Sequence, residues 1–132
     1  MNEDAKHRRA VRVLLAIEAL LQRDRLAAQA LDAEAARRQR ELADAFARLS
    51  QPGGERLGPE AYAHARALSA EIASLRARRI EADAAIEQRA ASHRLAAKTA
   101  DARRVERDRA EEDRALRLWL EAATARKAEG PD

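Results

Sequence analysis

Apolar residues recur along the first part of the chain at spacings of three and four, and the clearest period is seven. Leu14, Leu21, Ala28, Ala35, Leu42 and Leu49 share one lane, a, while Ile17, Asp24, Leu31, Arg38 and Ala45 share its companion, d. That repeat is the signature of a helix in a coiled coil. It predicts a first helix over about residues 4–49, with Asn2 near Ala5 as its capping region. A second repeat, read in its own frame, puts Ala65, Ile72, Arg79, Ile86, His93 and Ala100 on a, and Ala61, Leu68, Leu75, Ala82, Arg89 and Ala96 on d. It predicts a longer second helix over about residues 60–127.

The stretch 50–59, Ser-Gln-Pro-Gly-Gly-Glu-Arg-Leu-Gly-Pro, separates the two repeats and holds two of the three prolines and three of the four glycines. Pro52 removes a backbone donor, Gly53 and Gly54 permit positive φ, and Pro59 suits the first turn of a new helix. Two helices joined by one tight connection pack antiparallel. The expected fold is therefore all-α, a single antiparallel two-helix coiled-coil hairpin over residues 1–132 with a longer second helix.

In such a pair each a position faces a d position, which happens here for residues whose numbers add to 110. Leu42 then meets Leu68, Ala35 meets Leu75, Ala28 meets Ala82 and Leu14 meets Ala96. The fold-back centre falls at residue 55, inside the Pro-Gly connection, so heptad phase and turn chemistry agree. The same register puts Asp24 within reach of Arg89 across the interface, a polar seam pair expected to fix the alignment. Beyond about Val105 the second helix is expected to overhang. The overhang opens with the charge-dense run Arg103–Arg114, where Arg107 with Glu111 and Asp113 with Arg117 have the spacing of intrahelical ion pairs. It continues into Leu116, Leu118, Trp119 and Leu120, the densest large-apolar cluster of helix two. Near the start of helix one, Val11, Val13, Leu15 and Leu20 lie off the seam. The arm predicts docking onto a protein partner, and the helix-one surplus predicts either such docking or a thickened seam in contact with a bent-back arm.

Composition narrows the reading. About a quarter of the chain is alanine, 37% is charged, and Trp, Tyr, Phe and Met occur once each. That composition predicts a thin rod with modest burial rather than a thick core. The net charge of +3 is spread among interleaved acids and bases. Basic clusters stand at Lys6-His7-Arg8-Arg9 with Arg12, at Arg76–Arg79 and at Arg103-Arg104, but no aromatic residues interleave for stacking, which disfavours nucleic acid. The most apolar run, Val11–Leu21, is short and broken by Arg12 and Glu18, so no direct membrane insertion is expected and the expected compartment is cytoplasmic.

Catalytic signals are absent. His7, His64 and His93 are dispersed and form no HExxH motif, no cysteine is present, and Gly53-Gly54 lacks the Lys-Ser or Lys-Thr of a phosphate loop. The chain reads as non-enzymatic, with no cofactor, no metal and no small-molecule substrate. A helical interaction protein remains, and the sequence leaves open a generic coiled-coil scaffold that associates with itself.

The opening Lys6-His7-Arg8-Arg9 to Leu21, and the segment Arg103 to Trp119 with its Arg-x-x-Glu-Arg character, lie in a short Ala/Glu/Arg-rich hairpin with a long second helix. In length, architecture and charge style the chain resembles the flagellar export stalk proteins of the FliJ type and their injectisome counterparts of the YscO type. The resemblance implies a stalk or adaptor of a type III export apparatus, standing in the central pore of a ring-shaped ATPase and reaching the export gate, with secretion chaperones as further partners. It would be peripheral at the inner membrane through that complex. Under it, Arg8, Arg9, Val11, Val13 and Leu15, together with Leu116, Leu118, Trp119 and Leu120, would engage the ATPase. Arg56, Leu57, Tyr62 and His64, at the loop end, would meet the gate or a chaperone.

Overall fold

A computed structural model describes residues 2–130; Met1, Pro131 and Asp132, the extremes of the expected 1–132 hairpin, lie outside the described residues. The chain is an all-α hairpin of two helices, α1 (Glu3–Ser50) and α2 (Gly58–Ala128), joined by a 3₁₀ turn at Gly54–Leu57. Asn2 caps α1, its Oδ1 accepting from the Ala5 backbone N–H at 2.7 Å, and Glu3 and Asp4 lie in the first turn where the helix dipole favours acids. Arg126 and Lys127 occupy the last turn of α2, where cations are favoured.

The connection is built by glycine chemistry. Gly53 lies in the left-handed region at φ 85°, and Gly58 at φ 74° with ψ −179°, a combination open to glycine alone. The Gly54 N–H donates to the Gln51 carbonyl at 2.9 Å, and the Arg56 N–H donates to the Gly53 carbonyl at 3.0 Å. A Cβ on Gly54 would collide with the backbone carbonyl of Leu49. Backbone cannot yield as a flexible side chain does, so Gly54→Ala is expected to destabilise the hairpin by about 1–3 kcal/mol, measured as a shift in the urea midpoint against the parent.

Contacts divide the chain into two compact units, one of Met1–Glu18 with Ala91–Asp132 and one of Ala19–Ala90. In the Ala19–Ala90 unit the core is Leu21, Ala28, Ala65, Leu68, Ile72 and Leu75, all on the predicted lanes. The remaining lane members of this unit are at least partly covered. Its charged seam residues are paired. Arg89 donates from Nε to Asp24 Oδ2 at 2.5 Å, Arg79 Nε lies 3.0 Å from Asp32, and Arg38 Nε bridges Glu34 at 3.1 Å and Glu71 at 3.2 Å. These cross-helix partners lie within a few residues of the predicted register.

The Arg89 hydrogen bond holds the Asp24 carboxyl below the usual aspartate range, against the opposing effect of desolvation, with Arg23 assisting. A carboxylate with a depressed pKa in the folded state stabilises fully above its unfolded value and loses that contribution as pH falls through the folded one. The hairpin is therefore expected to hold its seam stability through neutral and mildly acidic pH and to lose the Asp24 share below about pH 4. In Asp24→Asn that portion of the acid transition disappears, which a pH series of thermal melts would reveal.

In the other unit, the a and d lanes remain covered as far as Arg107 and Ala110. His7 lies beside Arg107, whose Nη1 donates to His7 Nδ1 at 3.1 Å. Pairing thus runs about one heptad beyond Val105, the point at which the overhang was expected to begin. The reason is that His7 continues the α1 lane toward the N-terminus and supplies a partner for Arg107. Arg107 also donates to Asp108, at 3.3 Å from Nε, rather than to the expected Glu111.

Candidate functional site

The sequence nominated two sets of residues, and they fall one in each compact unit. At the turn, Arg56, Leu57, Tyr62 and His64 are all exposed, Tyr62 at 51% and Leu57 at 46%. Phe46 on the preceding stretch of α1 is also exposed. They form an accessible polar and aromatic surface at the turn.

The second set lies in the unit that contains both chain ends. Here α2 runs from Ala91 past the N-terminus of α1, and every residue from Glu111 to Ala122 is exposed. Leu116, Leu118, Trp119 and Leu120 keep 56%, 66%, 62% and 50% of their surface in solvent. Their phase explains why. Arg114 and Arg117 continue the a and d lanes, so the arm turns arginines toward the side where α1 would pair and carries its large apolar groups around the rest of the helix. Arg114 and Arg117 line a shallow cleft with Asn2, Glu3 and Asp4, so the seam ends in charge.

On α1, Arg8 is paired with Asp4 at 3.4 Å, Arg9 is exposed, Val11 is half-buried, and Val13 and Leu15 are exposed. Val13 faces a trough of about 570 Å³ between the helices, floored by small residues such as Ala10 and Ala96 and flanked by Ile17 and Leu95. Lys6, Arg9 and Arg103 stand at one end of it. Arg103 Nη1 donates to Glu106 Oε2 at 2.9 Å. That bond holds the Glu106 carboxyl below the usual glutamate range. His93 Nε2 lies 3.1 Å from Glu18 Oε1, a seam partner rather than a free ligand.

Sequence reasoning missed the trough and Leu95, because Leu95 lies off both lanes and was not set against Val13 on the neighbouring helix. The signal was the run of small residues at Ala10, Ser92, Ala96 and Thr99, which cannot fill the space between the helices. Among the described residues, no group of three or more His, Asp and Glu side chains is placed to hold a metal ion. No helix among them is long and apolar enough to cross a membrane. Comparison with protein-family models, with curated proteins and with solved structures returned no match.

Proposed function

We propose that this hairpin is a non-enzymatic stalk or adaptor of a type III protein export apparatus, flagellar or injectisome, which couples an ATPase ring to the export gate. The observation that carries this reading is the arm: four large apolar side chains at least half exposed on α2, on a segment whose seam positions carry arginine. An exposed Leu/Leu/Trp/Leu cluster is the composition of an interaction anchor. The basic turns around Arg8 and Arg9 lie in the same unit and would contribute a charged rim to the ATPase-facing surface.

The exposed tip, with Arg56, Leu57, Tyr62 and His64, would face the gate or an emptied secretion chaperone. Coupling would be mechanical, since a stalk acts by transmitting position and not by chemistry at a pocket. The test is co-assembly: the purified chain mixed with an export ATPase hexamer of the same organism should give a native mass of one chain per ring and should raise ATP turnover. A ring that neither retains the chain nor changes its turnover would remove this role and favour the self-associating scaffold.

A further inference from the structure

The arm and the trough lie on one stripe of α2. Positions 92, 95, 99, 102, 106, 109, 113, 116 and 120 alternate in steps of three and four, and read Ser, Leu, Thr, Ala, Glu, Arg, Asp, Leu, Leu. That is a second heptad seam, distinct from the a and d lanes that pair α2 with α1. Of its nine residues all are exposed, including Leu95 at 67%, Leu116 at 56% and Leu120 at 50%. The stripe is uncharged toward both ends, with Leu95 near one and Leu116 and Leu120 at the other, and charged in the middle.

That order is self-complementary under a two-fold axis. When two copies of α2 run antiparallel with this stripe as the seam, one register brings Leu95 against Leu120, Thr99 against Leu116, Ala102 against Asp113, and Glu106 against Arg109. Each contact occurs twice, as isologous association requires. Shifting by one heptad in either direction sets Asp113 against Leu95 or Glu106 against Leu116. Opposite charge at the centre and leucine at the ends therefore select a single alignment. Val13 and Ile17, beside Leu95 at the trough, would extend the surface that receives the partner's Leu120.

We infer that a second copy of this chain covers the arm, through an antiparallel, two-fold α2–α2 contact centred between Arg107 and Asp108. From 92 to 120 the stripe is about 42 Å long at 1.5 Å per residue. A single helix–helix strip of that length buries on the order of 1,000 Å² in total, at the lower bound for a specific interface. The dimer is consequently weak and reversible, in contrast to the permanent oligomer of a structural scaffold. It would occupy Leu116 and Leu120, so pairing of copies and docking of the arm on an ATPase ring exclude each other. The inference does not depend on the export reading, because it concerns the chain alone.

Sedimentation velocity of the full chain from about 1 to 300 µM tests it, with circular dichroism on the same samples. The expected result is a monomer–dimer equilibrium that Glu106→Arg weakens at least about tenfold, and Arg109→Glu likewise, by placing like charges opposite each other. Mixing those two variants should restore dimer, since each then supplies the charge the other needs. The chain has no cysteine, so Leu95→Cys with Leu120→Cys gives a second reading. Within one helix those positions are about 38 Å apart, beyond the reach of a disulfide. Oxidation should therefore link two copies, and neither single variant should do so efficiently. A chain that stays monomeric throughout, or a dimer that tolerates both charge reversals and fails to cross-link, would overturn the inference.

Discussion

If the hairpin is the export stalk proposed above, replacing Leu116, Trp119 and Leu120 together with serine is expected to abolish its retention by an export ATPase ring while leaving its helical circular dichroism nearly unchanged. The two halves of that expectation have different physical origins. All three side chains are already half or more in solvent in the free protein, so removing them takes little burial from the fold. On docking, the same side chains would lose that exposed surface, and truncation of a buried Leu or Trp anchor commonly costs about 2 kcal/mol or more. Loss of three anchors should weaken binding by at least about a hundredfold. Surface plasmon resonance against immobilised ring would measure it. A variant that binds as well as the parent would remove the arm from the interface.

The largest stability effect is expected at Leu68, of which only 2% of the surface reaches solvent. The core of the Ala19–Ala90 unit is thin: of its six buried residues only Leu21, Leu68, Ile72 and Leu75 are large, and the two alanines add little area. Leu68→Ala should cost about 2–5 kcal/mol and lower the melting temperature by on the order of 10 °C. Ile80→Ala, at a position 71% exposed, is the control and should change stability by no more than about 0.5 kcal/mol. Equal effects at the two positions would contradict the burial pattern.

The hairpin was legible because three independent signals coincide. Heptad lanes gave both helices, Pro-Gly chemistry gave the turn, and the requirement that a face d gave a register centred on that turn. The register put Asp24 within reach of the opposite charge on Arg89, and the pair forms as expected. Where the reading fell short, the cause was a signal other than hydrophobicity. The end of pairing was set too early because His7 and Arg107 do not look like seam residues until they are seen to bond. Leu95 escaped notice because an isolated exposed leucine is ordinary on a helix; it gains meaning only from its place on a second stripe. Interaction surfaces made of exposed residues are hard to read from one chain, since nothing within the chain has to complement them.

The claim that organises this account is that the Leu116–Leu120 arm is where the hairpin meets its partner ring. It is tested most directly by placing a photoreactive amino acid singly at Leu116, Trp119, Tyr62 and Ile80 and irradiating each variant with the assembled export ATPase. The account predicts cross-links to the ring from Leu116 and Trp119 and none from Tyr62 near the turn or from Ile80, which is 71% exposed on the intervening stretch of α2. Cross-links from Tyr62 or Ile80 with silence at Leu116 and Trp119 would contradict it.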